Sequence, residues 1–144
     1  MVERTVRQII EDQEPITAPA GIMAQEAAQI MKQHNIGALM VVEDEKLCGI
    51  FTERDALFRV LAEGLDAATT PLDAVMTRNP QTISADCDFP TALQMMHDGR
   101  YRHLPVVDGT HVLGMISVRD ALGPELEAFV YEMLREEQIQ QVLA

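Results

Sequence analysis

Tryptophan is missing from this chain, and two tyrosines and four phenylalanines make up only 4% of it. A core must therefore be assembled from Val, Ile, Leu, Met and Ala, and nine methionines supply adaptable packing. Cysteine is nearly absent. Cys48 and Cys87 form no CxxC pair and follow no ligand spacing, which excludes a disulfide scaffold and a thiolate metal site. Both are expected as buried thiols in a reducing cytosol. His34, His97, His103 and His111 show no paired ligand spacing either. No apolar run approaches the roughly 18–20 residues that span a bilayer. The opening MVERTVRQIIEDQEPIT is charged and mixed, unlike a signal peptide. These absences point to a cytoplasmic protein without a membrane partner. Basic residues are outnumbered 11 to 23, for a formal net charge of -12. Such a surface repels phosphate backbones and argues against nucleic acid, but leaves room for a small anion in a locally basic cleft. No Ser-His-Asp or Cys-His order suggests a nucleophile, so an enzyme is the disfavoured alternative and no catalytic residue is assigned.

What is present is ordinary globular composition, 47% apolar and 24% charged, in 144 residues. The chain is also duplicated. Residues 15–57 lie over 80–122 without a gap, at a shift of 65. Pro15/Pro80, Thr17/Thr82, Ala27/Ala92, Met31/Met96, Leu39/Leu104, Val41/Val106, Val42/Val107 and Gly49/Gly114 are identical pairs. The run Arg54-Asp55-Ala56-Leu57 repeats as Arg119-Asp120-Ala121-Leu122. Each copy reads as an extended piece near Thr17 or Thr82, then a helix over about Met23–His34 or Pro90–Asp98. Asn35 and Gly99 are expected to end these helices as αL-tolerant residues. ALMVV and HLPVV then form strands, EDEK and DGTH turn the chain, and LCGIF and VLGMI form the hairpin partners. Thr52 and Ser117 open a second helix. One copy of about 50 residues is marginal alone, so two copies burying their sheets against each other form the folding unit.

The fold class is therefore α/β (α+β): two β-α-β-β-α repeats packed sheet to sheet, plus a C-terminal helix. The expected organisation is residues 1–62 for the first repeat with an N-terminal extension, a linker at 63–75, the second repeat at 76–123 and a helix at 124–144. Pro124 suits the first turn of that helix. Leu126, Phe129, Val130, Met133 and Leu134 mark an apolar stripe that Ile139, Val142 and Leu143 are expected to continue, packing on this chain or on a second subunit.

The segments GIFTERD (Gly49–Asp55) and GMISVRD (Gly114–Asp120) carry the strongest chemical signal. Thr or Ser followed three positions later by an acid is a helix capping box, which accounts for Thr52, Asp55, Ser117 and Asp120 structurally. The same carboxylates are suited to accepting hydrogen bonds from the vicinal hydroxyls of a ribose. A strand that ends at a glycine and feeds a helix leaves backbone N–H groups open to a ligand. Arg54 and Arg119 suit phosphate. The second copy adds Arg100, Arg102 and His103, where the first has Asn35, Gly37 and Ala38. Solvated arginines and a structural histidine remain the alternative there.

PIT…AAQIMKQHNIGALMVVEDEKLCGIFTERDAL and PQTIS…ALQMMHDGRYRHLPVVDGTHVLGMISVRDAL resemble a tandem pair of CBS domains, the regulatory modules named after cystathionine β-synthase. Met40 departs from the pattern, standing where the second copy has Pro105. The resemblance implies pseudo-twofold packing with two clefts that bind an adenosine compound: AMP foremost, or ADP, ATP, NAD or S-adenosylmethionine. It places Asp55 with Thr52, and Asp120 with Ser117, on the ribose. It places Thr17 and Thr82 beside the base, with Ile16 and Ile83 as apolar walls. Arg54, Arg102, His103 and Arg119 would meet phosphate. It also implies a homodimer formed through helices, an effector protein that reads the ligand, and no required cofactor. A dimerisation module with degenerate clefts is the other reading that the resemblance allows.

Overall fold

The computed structural model describes residues 3–144. Met1 and Val2, the start of the first expected domain, lie outside the described residues. The order is α1 (Val6–Ile10), β1 (Thr17–Ala18), α2 (Ala24–His34), β2 (Ala38–Glu43), β3 (Lys46–Thr52) and α3 (Glu53–Asp55), which runs on as a π-helical turn over Ala56–Leu61. Then come β4 (Thr77–Arg78), β5 (Ile83–Ser84), α4 (Phe89–Gly99), β6 (His103–Asp108), β7 (His111–Ser117) and α5 (Gly123–Leu143). Short 3₁₀ turns occupy Leu72–Ala74 and Val118–Asp120.

The duplication is repeated in the register of the sheet. Ala18 pairs with Val41 as Ile83 pairs with Val106, and Val41 with Gly49 as Val106 with Gly114. The register slips between Val41 and Val42 and again between Val106 and Val107. The sheet order is β1-β2-β3-β7-β6-β5, with β4 on β3. The two halves join at their hairpin tips, where Lys46 pairs with His111. Asp44 and Glu45 both adopt positive φ, 51° and 64°, the hand that suits a two-residue hairpin.

Alternation divides the burial. Leu39, Val41 and Phe51 face the helices of the first repeat, while Leu104, Val106 and Ile116 do so in the second. Met40, Ile50 and Pro105 are buried too, yet belong to neither helix-side cluster. By strand geometry they lie on the opposite face, where the two halves of the sheet meet. Residues 38–41 are consequently buried without interruption, as a strand covered on both faces must be.

The lead-in segments are exchanged. Val6 and Ile10 of α1 pack in the second repeat's core, whereas Leu72, Val75 and Met76 pack in the first. The backbone contacts match. Val6 N–H donates to Cys87 O and Arg7 N–H to Ala85 O, just as Leu72 N–H donates to Ile22 O and Asp73 N–H to Ala20 O. Residues 72–75 are thus part of a core rather than a free connector. Gly49 and Gly114 sit beneath these crossings. A Cβ on Gly49 would lie 2.6 Å from Met76 Sδ, and one on Gly114 would lie 3.1 Å from Ile10 Cβ. Both glycines lie within strands and admit protein, which corrects the expectation that they expose backbone to a ligand.

Other local expectations shift. Gly99 is the last residue of α4, and Arg100 takes the left-handed conformation, φ 58°, that Asn35 takes at 52°. Gly99 is needed for a different reason: a Cβ there would overlap the Tyr101 ring. Ser117 opens only one 3₁₀ turn, not a helix. Pro124 has no N–H for the Asp120 carbonyl four residues earlier, and its ring would crowd that carbonyl. The chain extends at Ala121 (ψ 128°) and restarts as α5. Cys48 and Cys87 are half-buried free thiols rather than fully buried ones.

Phe129 of α5 packs against His97 and the second core, and no α5 side chain is buried. At 100° per residue, Ile139, Val142 and Leu143 fall on the side opposite the Leu126–Leu134 stripe, so they do not continue it. Arg4 anchors the start of α5. Its guanidinium donates to Glu125 (2.9 and 2.5 Å) and fills the freed Asp120 carbonyl at 2.8 Å. The Arg4 bond holds the Glu125 carboxyl below its ordinary range, and burial opposes this more weakly. A depressed carboxylate contributes stability that is complete above its unfolded pKa, about 4.3, and is lost as pH falls through the lower folded value. Unfolding in urea at pH 7 and pH 3 is expected to show a larger acid loss in the native chain than in Arg4→Ala. Equal losses would mean the pair does not anchor α5.

Candidate functional site

Two clefts open along the seam between the repeats, related by the duplication. The Asp120 cleft, of about 350 Å³, is lined by Gln13–Ile16, Asn35–Gly37, Met40, His103, Met115–Ser117, Arg119 and Asp120. The Asp55 cleft, of about 270 Å³, is lined by Ile50, Thr52, Arg54, Asp55, Phe58, Arg59, Thr77, Pro80, Gln81 and Tyr101–His103. Each therefore takes its apolar wall near a β1 or β5 strand from one repeat and its acid from the other. Only the first reaches the roughly 300 Å³ at which small-molecule sites begin. A wider groove of about 480 Å³, between α2 and the π-helical turn, lies along Met31, Lys32, Leu57 and Leu61.

The two acids are held differently. Asp55 is buried, at 6% exposure. Thr52 N–H donates to its Oδ2 at 3.0 Å, and the Thr77 hydroxyl donates to its Oδ1 at 3.1 Å. Arg59 Nε stands 3.4 Å from Oδ1. Both carboxylate oxygens are occupied by the protein. Asp120 is half-exposed, and Ser117 N–H donates to its Oδ2 at 2.7 Å. Its other oxygen accepts no bond among the described residues. Pro124 occupies the position that matches Arg59, so the second copy has no basic residue there to claim the acid.

The walls differ as well. Pro15, Ile16, Met40 and Met115 give the Asp120 cleft an apolar lining. In the other cleft Gln81 replaces Ile16, and the Tyr101 hydroxyl donates to Gln81 Oε1, filling that wall with a protein contact. Burial, reinforced by Asp98, raises the Tyr101 phenol and keeps it a donor. Thr17 and Thr82 line neither cleft, whereas Ile16 and Gln81, one residue earlier, do. Ile83 points into the second core and is no wall.

A third cavity, of about 360 Å³, joins the two. Gly37, Thr52, Glu53, Arg54, Arg100, Tyr101, Arg102, His103, Ser117, Val118 and Arg119 line it. Arg54 stacks on Phe58, 4.6 Å from the ring centroid. His103 borders all three cavities. It fits because Gly37 has no side chain: a Cβ there would stand 2.5 Å from Glu53 Oε1 and 3.3 Å from His103 Cε1. Burial pushes the His103 imidazole below its ordinary range; Glu53 opposes this, and Arg119 and Arg102 add to it. The imidazole is therefore neutral at pH 7. Six of the expected residues thus meet around this central cavity or its clefts without counting the acids: Thr52, Arg54, Arg102, His103, Ser117 and Arg119; Tyr101, not expected as a ligand residue, joins them.

Among the described residues, no group of three or more His, Cys, Asp and Glu is placed to hold a metal ion, and no helix is long and apolar enough to cross a membrane. The CBS-domain family model matches residues 6–62 and 72–124. The chain is 35% identical over 121 residues to the CBS domain-containing protein CBSCBSPB1 of Arabidopsis thaliana, covering 83% of this chain but 22% of that protein. It is 38% identical over 96 residues to the CBS domain-containing protein YhcV of Bacillus subtilis, covering 67% of this chain and 68% of that one. The chain thus spans about a fifth of the plant relative and two thirds of the bacterial one. The crystal structure of the CBS domain pair of protein MJ0100, in complex with 5′-methylthioadenosine and S-adenosyl-L-methionine, superposes with a TM-score of 0.75 at 31% identity, covering 83% of this chain and 93% of that one. With matching repeats, register and paired clefts, the chain belongs to the CBS-domain family as a tandem pair of its domains.

Proposed function

We propose that the chain is a regulatory module that binds an adenosine-containing nucleotide in the Asp120 cleft. The free carboxylate oxygen of Asp120 carries this reading. It is an acceptor for a ribose diol beside an apolar wall of Ile16, Met40 and Met115, sized for a base. The nucleosides bound by the MJ0100 pair support the ligand class. The Asp55 cleft is the degenerate one, because its acid and its wall are satisfied from within. Ligand binding across the seam would bias how the repeats sit together, and a second copy or an effector protein would read that change. The exposed Leu57, Phe58 and Leu61 and the half-exposed side chains of α5 support contact between copies.

The test is thermal unfolding with adenosine, AMP, ATP, NAD and S-adenosylmethionine at millimolar concentration. A ligand at a hundred times its Kd adds about 2.7 kcal/mol. One or more of these compounds is expected to raise the midpoint by several degrees. No shift with any of them would leave a dimerisation module with two degenerate clefts.

A further inference from the structure

The lead-in to the first repeat is one residue longer than the lead-in to the second, and the extra residue falls beside the Asp120 cleft. Val6 and Leu72 make matching backbone bonds, and Ile10 and Met76 sit over the matching glycines Gly114 and Gly49. The duplication then matches Pro15 with Pro80. Three residues, Thr77–Asn79, join Met76 to Pro80, whereas four, Glu11–Glu14, join Ile10 to Pro15. The shorter link lies flat on its strand. Thr77 and Arg78 form β4 against Ile50 and Gly49, and Asn79 N–H donates to Cys48 O at 3.3 Å. That register delivers the Thr77 hydroxyl to Asp55. The longer link turns instead. Gln13 N–H donates back to Ile10 O at 2.9 Å, and among the described residues no backbone group of 11–15 bonds to β7. A side chain reaches the strand in its place: Gln13 Oε1 accepts from the N–H of Met115, the counterpart of Ile50, at 3.1 Å. Glu11 and Asp12 stand where Thr77 would fall, and both are exposed acids with no hydroxyl to donate. Laid against β7, either would bring a second carboxylate to Asp120, which like charge opposes.

We propose that residues 11–14 are a strap whose extra residue decides which acid meets a ligand. It keeps a protein donor away from Asp120, and Gln13 is the latch that holds the strap beside the open cleft. The proposal rests on the nucleoside reading for its ligand, and it adds a second cause of the inequality between the clefts to the missing counterpart of Arg59. The first repeat shows the closed form. There the link is a strand, and its hydroxyl takes the place that a ribose hydroxyl would take on the acid. The capping box does not make the difference, since both repeats keep it. Gln13, Glu14, Pro15 and Ile16 form one wall of the Asp120 cleft. One exposed side-chain bond secures that wall to β7, so it is the part of the cleft that opens at least cost.

Amide hydrogen exchange followed by NMR tests the strap without any ligand. The Met115 amide is expected to exchange at least tenfold faster than that of Ile50, and Gln13→Ala to widen the gap. Deletion of Asp12 combined with Glu11→Thr gives the strap the length and the hydroxyl of the other link. This double variant is expected to slow Met115 exchange towards that of Ile50 and to raise the melting temperature by ~2–4 °C. It should also weaken binding of adenosine and AMP, measured by titration calorimetry, at least tenfold. Deletion of Asp12 alone supplies the length but leaves Glu11 against Asp120, so it should bring no gain in stability at pH 7. Met115 exchanging as slowly as Ile50 in the native chain overturns the strap, and an unchanged rate in Gln13→Ala overturns the latch. Unchanged adenosine and AMP affinity in a double variant whose Met115 exchange has slowed overturns the control of Asp120. A double variant that does not fold overturns the register match between the two links. If neither adenosine nor AMP binds the native chain, the nucleoside reading falls, and the exchange rates still decide the strap.

Discussion

Asp55→Ala and Asp120→Ala, although they alter the same position of the two repeats, are expected to give opposite phenotypes. Removing Asp55 unpairs a half-buried Thr52 N–H and the Thr77 hydroxyl, and leaves Arg59 without its acid. A lost cap and a lost part-buried hydrogen bond to a charged group together cost about 2–3 kcal/mol of stability. Half of Arg59 is exposed, so its share of that is small. Ligand affinity should change little, because the carboxylate was never free to bind. Removing Asp120 breaks one partly solvated bond to Ser117 N–H and costs about 1 kcal/mol or less. The same change removes the acceptor for two hydroxyls. At about 1.5–3 kcal/mol per hydrogen bond to a charged group, affinity for any nucleotide should fall a hundredfold or more. Urea unfolding and titration calorimetry on both variants measure the two effects. Should Asp120→Ala bind as the native chain does, the ribose assignment is wrong. Should Asp55→Ala be as stable as the native chain, the carboxylate is not locked.

The duplication made the symmetric part of this site legible in advance and hid the asymmetric part. Identities at a constant shift place Asp55 and Asp120 at matching strand ends, and the register confirms it pair by pair. From the capping motif alone the two acids are equivalent. What separates them lies four residues on, where Arg59 faces Pro124, and in the linker, where Thr77 returns to β3. The first difference was visible as a mismatch in the alignment. The second was not, because nothing local says that a linker crosses back over a strand. The exchange of α1 with residues 72–76 was hidden for the same reason. Val6 and Ile10 read as apolar residues of a short helix, and only tertiary packing assigns them to the other repeat. The resemblance places Thr17 and Thr82 beside the base, but alternation along so short a strand turns the neighbouring residue to the cleft instead. Ile139, Val142 and Leu143 share the apolar character of the Leu126–Leu134 stripe but not its angle around α5, which a run of residue types does not display.

The exchange makes Gly49 the position at which a single methyl group should do most damage. A Cβ there would meet the Met76 sulfur at 2.6 Å and the Thr77 carbonyl oxygen at 3.0 Å. The sulfur ends a flexible side chain and can move. The carbonyl belongs to β4, which is paired with β3 at this point, and moving it breaks the pairing of Gly49 with Arg78. Gly49→Ala is expected to cost about 1–3 kcal/mol, and the larger Gly49→Val at least the top of that range. The displacement carries a further consequence, because Thr77 is the residue whose hydroxyl holds Asp55. Lifting β4 off β3 also removes a partner of that acid. Asp55→Ala should therefore cost less in a Gly49→Val background than in the native chain, with a coupling of about 1 kcal/mol or more. Urea unfolding of the two single variants, the double variant and the native protein gives that coupling directly. Costs that add to within about 0.5 kcal/mol would mean that the crossing and the locked acid are independent. A clear coupling would mean that the returning linker both closes the first core and holds the Asp55 cleft shut, which leaves Asp120 as the acid free to meet a ligand.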